Sequence, residues 1–245
     1  MRDLIKSIVL AEGADVCGVS HVDRFEDSPE GFSPLDLWAD CRSVVAFGAA
    51  LPKGLSLVDS SLIYEHFNCD ICEMVDRICI TSAKKIEREW GCLAVPIPCD
   101  GPYDYWDEKT KTGKGLLSMR HTAVKCGLGT IGKSSLLINP EYGNMIIIGA
   151  FLLNIPLESD PLCEDICLPN CSKCIDACSA HAIAERQVDQ ALCRPNAFGT
   201  TKRGFATIEC NSCRVACPMR FGKAVQRAAH PFPRVSMKGL AFGKR

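Results

Sequence analysis

The sequence predicts an α+β protein in which a mixed helix-and-strand domain precedes a small cysteine-rich module. Two buried-strand patterns and one long amphipathic-helix pattern fall within residues 1–160. Nine of the 17 cysteines then lie between Cys163 and Cys217. The hydrophobic content of 47% and the charged content of 23% are ordinary for a soluble globular protein. We therefore predict three parts: residues 1–160, residues 161–221 and a basic C-terminal tail at 222–245.

The first predicted elements are a helix and two strands. Apolar residues at helical spacing over 4–9 predict a helix that Gly13 ends. The run D-V-C-G-V-S at 15–20 alternates like a strand. The run S-V-V-A-F-G-A-A-L at 43–51 reads as a buried strand, and the intervening residues 21–42 predict a loop.

A long amphipathic helix is predicted from about residue 62 to residue 90, where Gly91 ends it. Its apolar face consists of Ile63, Phe67, Ile71, Met74, Val75, Ile78 and Ile86. A short strand at 93–97 follows. The polar stretch 98–115 predicts a long loop, and loops of this length in a compact domain often act as functional lids.

The last elements of the first domain are a helix and a strand pair. Residues 116–126 predict a helix that Gly127 ends. Strands are expected at 136–138 and 145–153, with a turn at 139–144 between them.

Two cysteines, Cys69 and Cys72, lie one turn apart on the predicted long helix. Thiols at this spacing can ligate a metal, but no second cysteine pair accompanies them. Buried free cysteine behaves as a small hydrophobic residue, and core packing is therefore the expected role.

The cysteine-rich module contains two related runs. The first has the spacing C-x3-C-x2-C-x3-C, formed by Cys167, Cys171, Cys174 and Cys178. The second has the spacing C-x16-C-x2-C-x3-C-P, formed by Cys193, Cys210, Cys213 and Cys217. Both are close to the bacterial ferredoxin pattern, in which three closely spaced cysteines bind one cluster and the fourth binds the other.

This pattern predicts two [4Fe–4S] clusters with interlocked ligands. We assign one cluster to Cys167, Cys171, Cys174 and Cys217. We assign the other to Cys178, Cys193, Cys210 and Cys213. Cys163 is an alternative to Cys167, because the first spacing is x3 instead of the usual x2. Zinc sites usually use two C-x2-C pairs, and disulfides are not expected without a secretory context.

The run G-L-G-T-I-G-K-S at 127–134 matches the phosphate-loop pattern G-x-x-x-x-G-K-S. A phosphate loop needs a strand before it and a helix after it, so that the helix N-terminus faces the phosphates. Here the predicted helix precedes the run and an extended segment follows it. Three glycines favour a close approach of the backbone to another large ligand.

No targeting or membrane signal is predicted. Charges interrupt the apolar run at the N-terminus, and no apolar run reaches about 20 residues. A cytoplasmic protein without a membrane partner is expected. Residues 201–245 carry ten Lys or Arg and one acid, Glu209. These charges can offset the negative charge of thiolate-ligated clusters or form a docking face for an acidic electron donor, whereas interleaved aromatics for binding nucleic acid are lacking.

The run from Arg120 to Gly143, followed by N-I-P-L-E-S-D at 154–160 and the two cysteine runs, resembles the epoxyqueuosine reductase family. It resembles the reductive dehalogenases more distantly. The resemblance implies a nitroreductase-like α/β domain that binds base-off cobalamin, followed by a ferredoxin-like module with two [4Fe–4S] clusters. It also implies that one loop and one turn shape the corrinoid pocket, through Gly127, Gly129, Gly132, Lys133, Tyr142 and Gly143.

Two departures from the family are expected to matter. The family continues into a helical-repeat region that binds tRNA, so we expect a short paralogue without that region. The position of the family's proton-donating aspartate falls near Gly113, where there is no acid. The substrate is therefore predicted to be another small molecule or protein.

The resulting hypothesis is an iron–sulfur oxidoreductase that takes single electrons from a ferredoxin or flavodoxin and passes them to cobalamin. Candidate proton donors are Tyr103, Asp104, Tyr105, Asp107, Tyr64 and His66. Flavin is a weaker alternative to cobalamin. A different class of function is a redox-partner protein that reduces a separate corrinoid or flavin enzyme, and a first domain without a ligand-sized cavity would favour it.

Overall fold

A computed structural model describes residues 1–223 of the chain. Most of the predicted basic tail at 222–245 therefore lies outside the described residues. The helices are α1 (Arg2–Ala11), α2 (Pro34–Leu37), α3 (Ser61–Trp90), α4 (Met119–Lys125), α5 (Lys173–Asp176), α6 (Gln190–Ala197) and α7 (Ser212–Ala216). Short 3-10 helices span Val22–Phe25 and Lys53–Ser56.

Twelve strands occur in the described residues. Those of the first domain are β1 (Val16–His21), β2 (Ser43–Ala50), β3 (Ala94–Ile97), β4 (Tyr105–Asp107), β5 (Thr112–Lys114), β6 (Thr130–Ile131), β7 (Leu137–Ile138) and β8 (Ile146–Leu153). Those of the cysteine-rich module are β9 (Ile183–Ala184), β10 (Gln187–Val188), β11 (Phe198–Thr200) and β12 (Ala206–Ile208).

The first domain is built around a four-stranded sheet in the order β1–β2–β8–β3. All three neighbouring pairs are antiparallel. Both faces of β2 and β8 are buried, because Phe47 and Phe151 pack on one side with α1 and α3 while Ala46 and Leu152 pack on the other side with α4. Successive side chains point to opposite faces of a strand, so continuously apolar runs suit a sheet that is covered on both faces.

The long helix α3 forms close to its predicted position. Its N-terminus is capped by Ser60, whose hydroxyl accepts a hydrogen bond from the amide of Ile63 at 3.3 Å. Its C-terminus is Gly91 in the left-handed conformation, with φ of 63°. No helix within residues 1–223 is both long and apolar enough to cross a membrane.

The segment predicted as a long loop contains a β-hairpin instead. Strands β4 and β5 pair antiparallel, and the carboxylate of Asp107 accepts a hydrogen bond from the amide of Thr110 at 2.8 Å in the turn. Tyr103 and Trp106 stack with ring centroids 5.4 Å apart. Each strand is only three residues long, so its alternation is too short to be recognised in the sequence.

The glycine-rich run contains the first strand of a hairpin. Helix α4 precedes the run, β6 lies within it, and β6 pairs with β7 after it. A strand rather than a helix therefore follows the run, and the strand–loop–helix order that a phosphate loop requires is not formed there.

Asp160, at the predicted domain boundary, forms hydrogen bonds with residues of three elements. Its carboxylate accepts hydrogen bonds from the amine of Lys6 at 2.8 Å and from the amide of Val19 at 3.0 Å. Its amide donates to the carbonyl of Val19 at 2.8 Å, and its own carbonyl accepts from Arg24 at 2.7 Å. The boundary residue therefore extends the edge of the sheet beside β1.

We expect Asp160→Ala to lower the free energy of unfolding by about 2–3 kcal/mol, because a buried amide and an amine lose a charged acceptor. Asp160→Asn keeps an oxygen for the amide of Val19 and should cost less. Denaturant unfolding of anaerobic protein measures both effects, with the exposed Asp40→Ala as control. Equal stability of all three variants would contradict this role.

Candidate iron–sulfur and cofactor site

Four of the predicted ligands surround one small cavity. Cys167, Cys171, Cys174 and Cys217 all line it. Burial raises the pKa of Cys217 to about 11, and its neighbours Cys174, Cys167 and Cys171 raise it as well. The first three come from one run and the last from the other, as in the interlocked assignment. We call these four cysteines the first quartet.

The other four cysteines form the second quartet: Cys178, Cys193, Cys210 and Cys213. Burial raises the pKa of Cys193, and the nearby thiols of Cys178 and Cys210 raise it further. Burial also raises the pKa of Cys213 to about 11, with Cys193 and Cys210 among its neighbours. The sulfur that the first run contributes here is Cys178.

Backbone amides point at sulfur in both quartets. The amide of Lys133 donates to Cys167 Sγ at 3.5 Å, and the amide of Ala182 donates to Cys178 Sγ at 3.3 Å. Hydrogen bonds to thiolate sulfur stabilise the negative charge of a ligated cluster and adjust its reduction potential. The first of these donors lies in the first domain, which therefore helps to build the cluster site.

Cys163 lies apart from the quartets. Its thiol donates to the carbonyl of Gly127 at 3.1 Å. It does not line the cavity of the first quartet, whereas Cys167 does. Between the two alternatives left open by the spacing, the geometry favours Cys167.

The thiols of both quartets are unbridged, and those of the first quartet line one common space. All 17 cysteines are free thiols. Within the described part of the chain, no three His, Cys, Asp or Glu side chains converge closely enough to hold a single metal ion. The sulfurs of the first quartet instead surround a space, which suits a multi-atom cluster better than one tetrahedral ion.

A second, larger cavity of about 620 Å³ lies between the two parts of the chain. From the first domain, α3, the segment 99–120 and strands β7 and β8 line it. From the cysteine-rich module, Gln190, Arg194, Phe198, Ile208 and Arg214 line it. Its size falls within the range of about 300–1,000 Å³ that is usual for small-molecule sites.

The lining of this cavity is strongly cationic. It contains Lys114, Arg120, Arg194 and Arg214 but only one carboxylate, Asp100. None of these cations takes part in the ion pairs formed within residues 1–223. Burial and the neighbouring Arg194 both lower the pKa of Arg120. Cations held together without acidic partners favour an anionic ligand.

One buried polar atom in this lining has no partner. Asn144 is 1% exposed, and its amide nitrogen donates to the carbonyl of Arg214 at 3.2 Å. Its Oδ1 atom accepts no hydrogen bond from the described residues. A buried acceptor without a donor costs free energy, so a ligand with an N–H or O–H group would satisfy it.

The second quartet lies next to this cavity. Arg194 follows Cys193 and Arg214 follows Cys213 in the sequence, and both arginines line the cavity. Arg214 also donates to the backbone carbonyl of Asn144 beside β8. Two residues that directly follow second-quartet cysteines therefore line the cavity, whereas no sequence neighbour of a first-quartet cysteine does.

Of the predicted proton donors, the structure brings Tyr103 to the cavity. Its hydroxyl donates to Asp100 at 3.0 Å and accepts from Arg194 at 3.3 Å. Burial, followed by the charge of Asp100, raises its pKa. The guanidinium of Arg194 also lies 5.1 Å from the ring centroids of Tyr103 and Trp106.

The other predicted donors lie elsewhere. Asp104 is exposed, and its amide pairs with Lys114 within the hairpin. His66 is exposed and packs edge-to-face on Phe67. Tyr64 is buried in a small core cluster with Leu51, Leu55, Met145 and Phe221. Tyr105 is exposed, Asp107 bonds the hairpin turn, and neither lines the 620 Å³ cavity.

Asp100 is absent from the sequence-based candidates. It lies in a polar segment with several other acids, and only the fold places it beside Tyr103. Arg194 and Arg214 are also absent from those candidates. Their positions directly after cluster cysteines were the signal that could have identified them.

The large cavity is not lined by the six residues that the resemblance assigns to a corrinoid pocket: Gly127, Gly129, Gly132, Lys133, Tyr142 and Gly143. A Cβ atom at Gly129 would lie 2.2 Å from the carbonyl oxygen of Ile138. At Gly127 it would lie 2.3 Å from the carbonyl of Pro161. At Gly127 and Gly129 the protein's own backbone therefore occupies the space that a side chain would need.

Lys133, Tyr142 and Gly143 belong to the same set and also contact other parts of the protein. Lys133 lines the cavity of the first quartet, and its amine donates to the carbonyl of Pro169. Tyr142 packs against the core, and its amide donates to the side chain of Asn139 at 3.0 Å. A Cβ at Gly143 would lie 2.1 Å from the carbonyl of Met219, two residues after Cys217.

Comparisons with known proteins agree with the predicted resemblance. No family model matches the chain. It is 32% identical over 127 residues to an epoxyqueuosine reductase of Bacillus subtilis, a match that covers 47% of this chain and 32% of that protein. It is 39% identical over 109 residues to an epoxyqueuosine reductase of a Synechococcus species, covering 39% of this chain and 33% of that protein. The chain thus spans about a third of the length of the curated relatives that it matches.

Solved structures show the same fold. A catabolic reductive dehalogenase matches 91% of this chain and 32% of its own, with a TM-score of 0.68 and 17% identity. An epoxyqueuosine reductase solved with a tRNA stem loop matches 90% of this chain and 65% of its own, with a TM-score of 0.60 and 20% identity. A reductive dehalogenase described with a mechanism for B12-dependent dehalogenation matches 79% of this chain and 28% of its own, with a TM-score of 0.62 and 16% identity. The predicted mixed helix-and-sheet fold and the resemblance to both groups are confirmed.

We expect Gly143→Ala to lower the free energy of unfolding by about 2–4 kcal/mol, because its φ of 61° and the contact with Met219 both disfavour a side chain. Gly54→Ala is the matched control, since a Cβ there meets nothing within 4 Å. Thermal unfolding and the iron content of the two variants measure the difference. A Gly143→Ala protein as stable as Gly54→Ala would show that this contact is unimportant.

Proposed function

We propose that the chain is an iron–sulfur reductase that delivers single electrons from two [4Fe–4S] clusters to a cofactor and substrate bound in the 620 Å³ cavity. The observation that carries the proposal is the position of the second quartet, whose neighbours Arg194 and Arg214 line that cavity. The sequence similarity to proteins named as reductases supports an enzymatic role.

In this proposal the cysteine-rich module is a ferredoxin-like unit, and each quartet holds one cluster. Four thiols around each site and amide donors to Cys167 and Cys178 support it. Electrons would enter from a ferredoxin or flavodoxin at the first quartet and leave from the second. When bound, the clusters supply one-electron transfer and a corrinoid supplies a strongly reducing cobalt centre.

Cobalamin is the cofactor that we propose for the cavity. Leu136, Leu137 and the run Ile146–Ile148 provide an apolar wall for a broad ring. The arginines suit the anionic phosphodiester of cobalamin, and Asn144 Oδ1 can accept from one of its amide groups. The B12-dependent dehalogenation described for one structural neighbour supports the same cofactor.

The chain's own residues would then position the substrate and hold a proton. Tyr103 keeps its proton because burial and Asp100 raise its pKa. Arg194 fixes the phenol by donating to it, and Asp100 accepts the phenol's proton in a hydrogen bond. We propose Tyr103 as the proton donor, because the position of the family's aspartate is occupied by Gly113. Gly113 lies against Tyr103, since a Cβ there would be 2.9 Å from the Tyr103 ring.

The redox-partner alternative is less well supported, because the first domain contributes to a ligand-sized cavity. Flavin remains a second candidate for that cavity, since its phosphate also suits the arginines. We include a nucleic acid among the candidate substrates, because one structural neighbour was solved with a tRNA stem loop. We propose the substrate class only as a molecule that accepts electrons in the cavity.

We expect Cys217→Ala to reduce the iron content from about eight to about four atoms per chain, because the first quartet loses one of its sulfurs. Cys163→Ala is the matched control and should retain about eight, because Cys163 bonds to Gly127 instead. Iron and sulfide analysis after anaerobic reconstitution measures both. If Cys163→Ala loses iron and Cys167→Ala does not, the assignment of the first quartet is wrong.

Anaerobic protein incubated with cob(II)alamin should develop a base-off absorption spectrum. Arg194→Gln should weaken this binding about tenfold through the loss of a charged hydrogen-bond donor. The exposed Arg203→Gln in the same module should bind as the unchanged chain does. No spectral shift would remove the cobalamin proposal, and release of yellow flavin on denaturation would replace it with the flavin alternative.

A further inference from the structure

Two cysteines outside the quartets line the large cavity. Cys72 lies on α3, and Cys99 lies just after β3. The sequence groups Cys72 with Cys69, but the thiol of Cys69 is exposed and donates to Glu65 on the same helix at 3.3 Å. The fold instead brings Cys72 to Cys99, a residue from a different element.

The chain holds these two thiols together. The amide of Cys99 donates to the carboxylate of Asp76 on α3 at 2.9 Å. The thiol of Cys99 donates to the backbone carbonyl of Cys72 at 3.4 Å. Both residues are partly exposed, so small molecules in the cavity can reach them.

We propose that Cys72 and Cys99 form a redox-active dithiol that exchanges with small disulfides entering the cavity. The Cys72 thiolate attacks one sulfur of the small disulfide, whose S–S bond breaks to release one thiolate. Cys99 then attacks the mixed disulfide at Cys72, forming the Cys72–Cys99 bond and releasing the second thiolate. The two cysteines lose two electrons and two protons, and the two halves of the small disulfide gain them.

The surroundings favour Cys72 as the attacking sulfur. The neighbouring side chain of Cys99 and the charge of Arg214 lower the pKa of Cys72, while burial and the charges of Asp100 and Asp76 raise it. Cys79 on the same helix differs, because burial raises its pKa to about 12. Thiolate character and access together decide which cysteines react.

The oxidised state would change the cavity wall. A Cys72–Cys99 bond would join α3 covalently to the segment that carries Asp100 and Tyr103. The site requires neither a cluster nor a corrinoid, so it can exist even if the proposed function is wrong. If that function is right, the dithiol lies beside the proposed proton donor and makes the cavity sensitive to the thiol–disulfide balance.

The test uses the full chain with its clusters reconstituted under anaerobic conditions. It is equilibrated in buffers with increasing ratios of oxidised to reduced glutathione, blocked with N-ethylmaleimide and analysed by peptide mass spectrometry, with the iron content measured in parallel. We expect a Cys72–Cys99 linked peptide to appear in one transition while the iron content stays constant. Dithiothreitol should reverse it completely.

Three variants distinguish the proposal from simple packing. Cys99→Ser should accumulate a glutathione adduct on Cys72, because the resolving thiol is missing. Cys72→Ser should lose the linkage and leave Cys99 without an adduct. Cys69→Ser should behave like the unchanged chain. Full alkylation of Cys72 and Cys99 in the most oxidising buffer, or a linkage of Cys72 to Cys69, would overturn the proposal.

Discussion

The structure depends on eight thiols that gather at two sites. Each cysteine run supplies three sulfurs to one site and one sulfur to the other. Cys217 joins the first quartet and Cys178 joins the second, so neither run can complete a site alone. Thiols that are buried in this way have raised pKa values, and ligation to iron would allow them to lose their protons. The module contains only short helices and two-stranded sheets, so we expect its stability to depend on the clusters.

The same constraint explains how the two parts of the chain fit together. The first domain lends the amide of Lys133 to the first quartet, and the glycine loop and Gly143 allow its backbone to approach the module closely. Arg194 and Arg214, which directly follow Cys193 and Cys213 of the second quartet, line the cationic cavity next to β8. Under the proposed function, electrons pass from the first quartet, beside the glycine loop, to the second quartet and then to the cavity.

Much of this could be predicted from local patterns. The apolar runs of β2 and β8 and the buried residues Val75, Ile78 and Ile86 of α3 reflect burial that neighbouring residues already encode. Ile63, Phe67 and Met74, which the period of α3 places on the same face, are exposed. Cysteine spacing also grouped the four thiols that line the small cavity. Other features depend on residues that are distant in sequence: the pairing of Cys72 with Cys99, the contact of Gly143 with Met219 and the stacking of Arg194 on Tyr103. The backbone neighbours of the glycine loop also depend on distant residues, because three glycines indicate close approach without identifying what approaches.

The most direct test of the central claim is the Mössbauer spectrum of the full chain reconstituted anaerobically with ⁵⁷Fe, together with its iron content. The interlocked quartets predict that nearly all bound iron belongs to [4Fe–4S] clusters, at about eight atoms per chain. Iron held as isolated tetrahedral ions, a maximum of about four atoms per chain, or zinc bound in preference to iron would contradict the account.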